Sequence, residues 1–157
     1  MGYTKHEIEK QITDVSELLS IKNLLEVHPR NLSGGEQQKV AIGKILLLNP
    51  KILLLDEPTK GLDAFSKAEL STILYNLKMQ GVTIVVVTHD LEFAATVSDR
   101  CGLFFDGEVS ALEHPTNFFA SNHFYTTMAN RISRHIYSNA ITCEDVITLG
   151  NMNGMKK

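Results

Sequence analysis

Two adjacent acids, Asp56 and Glu57, follow directly after an apolar run at residues 52–55. An unbroken apolar run is typical of a parallel strand covered on both faces, and open α/β sheets bind ligands beyond the carboxyl ends of such strands. Successive side chains on a strand point to opposite faces, so the two carboxylates can do different chemistry. Asp56 suits a hydrated magnesium ion, and Glu57 suits activation of a water molecule. A solvated turn is the alternative, which the apolar run disfavours.

A second segment, Ser33-Gly34-Gly35-Glu36, opens a helical pattern of apolar residues. Its spacing fits a capping box, in which the serine hydroxyl and the glutamate carboxylate bind free backbone amides at the helix start. Capping alone leaves the two glycines unexplained, because glycine weakens a helix while letting another molecule approach the backbone. A helix start with exposed amides carries about half a positive charge and suits a phosphate. Ser33 can therefore cap the helix and still face a nucleotide.

Two further polar residues, Asp63 and His89, lie at the starts of later helical patterns. Asp63 can cap the helix that follows it, or contact a second subunit, and both readings stay open. His89 follows a β-branched run at residues 82–87, at the same end of the predicted sheet as Asp56 and Glu57. A histidine after a strand is usually structural, but this position favours a hydrogen bond to a terminal phosphate.

The elements that position these residues alternate between strands and helices. This alternation predicts a three-layered α/β fold with mainly parallel strands, of which those at residues 52–55 and 82–87 are buried on both faces. The Asp106-Gly107 pair predicts a hairpin of residues 101–105 and 108–112. Helices are predicted at residues 4–25 (as one helix or two), 33–48, 64–80, 91–97, 115–121, 122–136 and 142–149, with residues 151–157 frayed. Thr4 and Glu7 fit a capping box at the start of the first of these helices.

Apolar residues at helical spacing predict buried faces on three of these helices. The predicted core residues are Ile8, Ile12, Val15 and Leu19 in the first helix, Leu70, Ile73, Leu74 and Leu77 in the third, and Phe124, Met128 and Ile132 in the sixth.

The composition is that of a globular chain: 157 residues, 43% hydrophobic and 21% charged, can form one core. A formal net charge of −3 provides no basic surface for nucleic acid, so nucleic acid is not expected as a partner. Cys101 and Cys143 are far apart and outside metal-binding spacing, which predicts two reduced thiols. No apolar run approaches the roughly 20 residues that span a bilayer, so we expect membrane association only through a partner.

Together and in this order, the motifs resemble the second half of the ATP-binding cassette of ABC ATPases, a P-loop NTPase-like α/β fold. Residues 32–38 resemble the signature, residues 53–57 the Walker B strand with its catalytic acid, residues 61–63 the D-loop, and His89 the switch histidine. In that family, the signature of one cassette contacts ATP held by the Walker A loop of a second cassette. The resemblance therefore implies a dimer of cassettes, homomeric or heteromeric, with ATP and Mg2+ as cofactors.

Site residues follow from the resemblance position by position. Their implied roles are terminal-phosphate binding in trans for Ser33, Gly34 and Gly35, magnesium binding for Asp56, polarisation of the attacking water for Glu57, phosphate sensing for His89, and coupling of the two sites for Asp63.

The segment after the hairpin resembles one subgroup of ABC ATPases. Phe118-Phe119 and residues 124–134 are similar to the region after the cassette in energy-coupling factor transporters of the vitamin and cobalt type. That similarity implies a transmembrane coupling subunit and a substrate-binding membrane subunit as partners, and a peripheral location on the cytoplasmic face of the membrane. The predicted divisions are residues 1–112 for the ATPase part, with its helical part at 1–49 and its core at 50–112, and residues 113–157 for a helical extension.

The chain departs from the family pattern in one major respect. No Gly-x-x-x-x-Gly-Lys-[Ser/Thr] motif occurs, because the Gly43-Lys44 pair precedes Ile45 and falls within a predicted helix. The adenine-stacking aromatic and the glutamine-containing loop are also missing, and Lys60 stands where the D-loop often has serine. We expect this chain alone to be inactive, to have little affinity for ATP, and to expose sheet edges and apolar faces.

Three hypotheses follow. The first is part of an ATPase that powers an energy-coupling factor importer, and the second is a non-catalytic cassette fragment that supplies its signature in trans to a complete partner. The third is a DNA-repair or chromosome-structural ATPase, which the acidic balance and the lack of long heptads disfavour.

Overall fold

A computed structural model describes residues 4–154 of the chain. It divides after Val87 into two compact units, each of mixed helix and strand, and this confirms the predicted α/β class. None of the helices in residues 4–154 is both long and apolar enough to cross a membrane. The functional divisions predicted at residues 49 and 112 stay predictions.

Within residues 4–87, the first unit contains three helices and two strands. In chain order these are α1 (Lys5–Leu18), α2 (Gly34–Leu46), β1 (Ile52–Asp56), α3 (Ala64–Met79) and β2 (Thr83–Val87), with short 3-10 turns at Lys22–Leu24 and Pro29–Asn31.

Helix α1 starts at the predicted capping box, in which Thr4 and Glu7 each bind the other's backbone N–H. It ends at Leu18 rather than Leu25, because Ser20 adopts a left-handed conformation (φ 55°). Only the end of its predicted apolar face is buried: Leu19 is 1% exposed, whereas Ile8 is 45% exposed. The reason is that the C-terminal end of α1 packs beside Gly43 of α2, where Val15 and Leu19 approach the glycine.

The sheet of the first unit is a parallel pair, β1 and β2, in register from Ile52 opposite Thr83 to Asp56 opposite Val87. The prediction that both faces are buried is wrong for both strands. Leu53 is 1% exposed, but its neighbour Leu54 is 70% exposed and Val85 is 47% exposed. Helices cover one face only, and within residues 4–154 neither strand pairs with a third strand. The predicted exposure of an apolar face is confirmed.

Adjacent substitutions in β1 can test the effect of this exposed face. We expect the isolated chain to associate through it, because exposed apolar strands pair with other chains. Leu54→Thr should reduce this association without lowering stability, whereas Leu53→Thr should unfold the first unit, since it places a hydroxyl in the core. Light scattering and thermal unfolding of the two variants measure both effects. A monodisperse wild-type monomer with a sharp melt would contradict the expectation.

In its described part, residues 88–154, the second unit contains four helices and a hairpin. In chain order these are α4 (Leu91–Val97), β3 (Cys101–Phe105), β4 (Glu108–Glu113), α5 (Pro115–Ser121), α6 (Met128–Ser133) and α7 (Cys143–Gly154).

The hairpin turn forms as predicted, with positive φ at Asp106 (51°) and Gly107 (83°). The core of this unit lies around Phe118 and Phe119, whose rings meet edge to face at a centroid distance of 5.0 Å. Cys101 is buried in the same core, and burial raises the pKa of its thiol. Cys101 and Cys143 are both free thiols, as predicted.

The predicted helix at residues 122–136 is wrong in extent, since only Met128–Ser133 is helical. The Asn122 side chain accepts the N–H groups of Phe124 and Tyr125, which holds these residues in a turn instead. The predicted core role of the sixth helix is also wrong, because its three apolar residues are exposed. The exposed fractions are 86% for Phe124, 58% for Met128 and 74% for Ile132.

The last helix, α7, extends from Cys143 to Gly154, beyond the predicted end at residue 149. Residues 151–154 are therefore helical rather than frayed. The rest of the segment predicted to fray, residues 155–157, lies outside the described residues.

Candidate functional site

The start of α2 has the predicted capping geometry. The Glu36 carboxylate accepts the backbone N–H and the hydroxyl of Ser33, each at 2.8 Å, and the Ser33 Oγ accepts the Glu36 N–H at 3.4 Å. The hydrogen bond from the Ser33 backbone, followed by that from its side chain, lowers the pKa of Glu36. Ser33 is exposed and Gln37 holds the preceding Leu32 carbonyl at 2.8 Å, so the helix start has a defined backbone and an open approach.

The two glycines of this segment are present for different reasons. At Gly35, an added Cβ would lie 2.5 Å from Ser66 Oγ and 3.0 Å from Ser66 Cβ, so close packing against α3 excludes a side chain. At Gly34, an added Cβ would meet only the Gly61 carbonyl at 3.7 Å, an ordinary van der Waals distance. Packing therefore accounts for Gly35 but leaves Gly34, which is exposed, unexplained.

The segment 61–63 lies beside this helix start, as the Gly34 contact shows. Asp63 caps α3 by accepting the Ser66 N–H at 2.7 Å, and this bond, with a weaker one from the Ser66 side chain, lowers the pKa of Asp63. Gly61 has a φ of +76°, a conformation that favours glycine. The capping reading of Asp63 is confirmed, while its role between two subunits stays a prediction.

The acidic pair terminates β1 as expected. Asp56 is exposed and is the last residue of the strand, and Glu57 is half-buried. The Glu57 N–H donates to the Val87 carbonyl at 2.8 Å, while its φ of +46° bends the chain out of the strand. This conformation is uncommon for residues other than glycine and recurs at functional sites. Only the structure reveals it.

Magnesium is the one metal that the sequence predicts. Residues 4–154 contain no group of three or more His, Cys, Asp or Glu side chains placed to hold a metal ion. Protein-bound Mg2+ needs only one or two carboxylates when phosphates and water complete its octahedron. An exposed Asp56 at a strand end fits that requirement.

His89 belongs to the second unit, which starts at Thr88. Its side chain is exposed, and it directly precedes Asp90, which caps α4 by accepting the Phe93 N–H at 3.1 Å. The Asp90 N–H in turn donates to Thr88 Oγ1 at 3.0 Å, so the backbone around His89 is held locally. The expected approach of His89 to the phosphate of a nucleotide stays a prediction.

Comparison with known proteins agrees with this geometry. The family model described as "ABC transporter" matches residues 3–60, which include the helix start and the acidic pair. A putative ABC transporter ATP-binding protein of Bacillus thuringiensis is 49% identical over 123 residues, covering 78% of this chain and 22% of that protein. The chain belongs to the ABC transporter ATP-binding family.

Two further matches are an energy-coupling factor transporter protein and a solved structure from an ABC transporter complex. The ATP-binding protein EcfA of Methanococcus maripaludis is 33% identical over 134 residues, covering 85% of this chain and 48% of that protein. The structure of cbiO1 from Clostridium perfringens, described as part of the ABC transporter complex cbiONQ, matches with a TM-score of 0.74 and 28% identity. That match covers 87% of this chain and 53% of cbiO1, so the chain spans about half or less of these relatives.

Sequence reasoning missed two contacts that fix this part of the ABC cassette. Ser66 packs against Gly35, and Lys39 of α2 forms an ion pair with Glu69 of α3 at 2.9 Å. No local pattern marks these pairs, since each joins residues about thirty positions apart. The only local clue to either contact was the position of Lys39, four residues after Gly35.

Two of the capping carboxylates in the first unit, those of Glu36 and Asp63, predict a pH dependence of its stability. Hydrogen bonds lower the pKa of Glu36 from 4.5 and that of Asp63 from 3.8. Each carboxylate therefore contributes its full stabilisation when the pH is above its pKa in the unfolded chain. This stabilisation is lost as the pH falls through the lower pKa of the folded state. We expect the first unit to lose stability progressively below about pH 4.5. Hydrogen exchange in α2 and α3 against pH measures this loss, and Asp63→Asn should flatten the profile in α3.

Proposed function

We propose that this chain provides the signature-bearing part of an ABC ATPase site. The observation that carries the proposal is Gly34, an exposed glycine at a helix start where the fold has room for a side chain. A glycine that packing does not require is explained when a ligand approaches the backbone closely. Helix starts with free amides bind phosphate groups, so the ligand that best fits is a nucleotide phosphate.

We propose further that the whole protein is an ATP-binding and ATP-hydrolysing subunit of an energy-coupling factor importer, which drives uptake of a vitamin or a transition-metal ion. The relative EcfA carries that name, and cbiO1 belongs to a transporter complex. The resemblance of Phe118-Phe119 and residues 124–134 to energy-coupling factor transporters supports the same proposal. The proposed partners are a second cassette, a transmembrane coupling subunit and a substrate-binding membrane subunit, on the cytoplasmic face of the membrane.

In this proposal, one set of residues binds the phosphate of ATP and a second set acts in its hydrolysis. Ser33 and Gly34 hold the terminal phosphate of ATP bound to the second cassette, through a hydroxyl and backbone amides. Glu57 accepts a proton from the attacking water and so aligns it with the terminal phosphorus, while Asp56 holds Mg2+ through bound water. When bound near Asp56, magnesium would supply positive charge next to the phosphate oxygens. The proposed role of His89, in the second unit, is a hydrogen bond to a terminal phosphate.

Substitution of Gly34 tests the nucleotide contact without disturbing the fold. Alanine is a better helix former than glycine by about 1 kcal/mol, and its Cβ meets no atom closer than 3.7 Å. Gly34→Ala should therefore leave thermal stability unchanged or raised, while weakening ATP-dependent association with a cassette that carries the Gly-Lys-[Ser/Thr] loop by roughly tenfold.

The matched control is Gly150→Ala in α7, where an added Cβ meets no atom within 4 Å. We expect that variant to associate like the wild type. Equal association of the Gly34 variant and the wild type would remove the observation on which the proposal rests.

The alternative function is a non-catalytic fragment that supplies its signature in trans to a complete partner ATPase. Under this alternative, the Gly-x-x-x-x-Gly-Lys-[Ser/Thr] loop, which does not occur in the 157 residues, belongs to the partner. Both hypotheses require Gly34, but only the catalytic one requires the carboxylate of Glu57.

A further inference from the structure

The start of α2 is joined to the start of α3 by contacts on two successive helical turns. In the first turn, Gly35 lies against Ser66 so closely that an added Cβ would be 2.5 Å from Ser66 Oγ. One turn later on both helices, Lys39 Nζ lies 2.9 Å from Glu69 Oε2. The spacing is four residues on α2 and three on α3, which places both contacts along facing ridges of the two helices.

The ion pair is more protected from water than an ordinary surface pair. The side chains of Lys39 and Glu69 are 12% and 34% exposed, whereas those of Lys22 and Glu17 are 65% and 59% exposed. Partial burial weakens screening and makes loss of one partner costly, because the other charge is left unpaired.

The first contact extends to the segment 61–63. Asp63 accepts the Ser66 N–H at 2.7 Å, and so holds Ser66 in the position that meets Gly35. The helix start at Gly35 is thereby connected to Asp63 through Ser66.

We infer that Lys39, Glu69 and Ser66 are positioning residues, which keep the signature segment and the segment 61–63 in one fixed arrangement. This inference rests on the proposed function, because it assigns what that arrangement serves: alignment of the helix start with a nucleotide phosphate. It also assigns the Lys39 ammonium to Glu69 and not to the phosphate. The sequence position of Lys39, so soon after the signature glycines, would suggest the opposite.

The test uses ATP turnover by this chain assembled with a cassette that carries the Gly-Lys-[Ser/Thr] loop. Lys39→Met should lower kcat by on the order of 10²-fold, since small displacements of positioned groups have effects of that size, and leave KM for ATP within about twofold. The charge-swapped pair Lys39→Glu with Glu69→Lys should recover most of the lost turnover. The control Lys44→Met, an exposed lysine on α2, should have no effect.

The packing contact has its own rescue. Gly35→Ala should lower kcat in the same way, and Ser66→Gly in the same chain should restore it, because the second change removes the atoms that the new Cβ meets. A rise in KM for Lys39→Met with kcat unchanged, or no recovery in either pair, would overturn the inference.

A second measurement separates this inference from the proposed function. In the same assembly, thermal unfolding midpoints of Lys39→Met, Glu69→Leu and their combination should be non-additive, since paired residues couple. If the wild-type assembly hydrolyses no ATP, the proposed function fails, and additive midpoints would overturn the positioning pair as well. Non-additive midpoints without turnover would leave the pair standing and the function rejected.

Discussion

Replacement of Glu57 by glutamine is expected to reduce ATP turnover in the assembled complex by about 10²- to 10⁴-fold, the usual contribution of a positioned general base. Glutamine has nearly the same shape but cannot accept the proton of the attacking water. The hydrogen bond from the residue 57 backbone to Val87 involves no side-chain atom, so it persists in the variant. ATP binding, measured by KM, should change little, because the carboxylate acts on the water.

A matched control for this change is Glu113→Gln, which removes a carboxylate from the end of β4 in the second unit. That variant should hydrolyse ATP at the wild-type rate. Unchanged turnover in the Glu57 variant would contradict catalysis by this chain and would favour the non-catalytic alternative.

Within the second unit, replacement of Asn130 by alanine is expected to have the largest effect on stability. Asn130 is fully buried, and its Nδ2 donates to the carbonyls of Ser138 and Ala140, each at 2.9 Å. Its Oδ1 accepts bonds from Thr126 and Arg134. Alanine would remove the donor to the Ser138 and Ala140 carbonyls, whereas Thr126 and Arg134 keep bonds to the carbonyls of Phe119 and Asn122. Since each buried unpaired group costs about 1–3 kcal/mol, we expect a loss of roughly 3 kcal/mol in the second unit.

Hydrogen exchange in α6 and at residues 138–141 measures that loss. The control is Asn139→Ala, an exposed asparagine in the same loop, which should change protection by less than about 0.5 kcal/mol. Equal protection in the two variants would show that the network around Asn130 contributes little.

Helix starts and the hairpin turn are the features that the sequence alone determined. Thr4 with Glu7, Ser33 with Glu36, and Asp63 with Ser66 each form the predicted cap. Every such contact joins residues three positions apart, so the local chain is sufficient to form it. The same holds for the left-handed pair Asp106-Gly107, which forms the hairpin turn.

The order of motifs was also sufficient to identify the family, because it is a property of the chain and not of its packing. Residues 32–38, 53–57 and 61–63 carried that resemblance, and the family match over residues 3–60 agrees with it.

Burial was decided by the tertiary structure. The apolar run of β1 predicts two covered faces, yet Leu54 is exposed beside the buried Leu53. Likewise, Phe124 and Ile132 have the spacing of core residues but face solvent, since the Asn122 turn shortens their helix. Periodicity records which residues share a face, but whether another element covers that face depends on distant parts of the fold.

Only the tertiary structure could distinguish Gly34 from Gly35 or pair Lys39 with Glu69. Each distinction depends on α3, which begins about thirty residues after the signature segment. Hydrogen bonds within one turn are formed by the local backbone, and so they can be read from neighbouring residues. Contacts between helices depend on how the chain folds back on itself, and no local pattern specifies that arrangement.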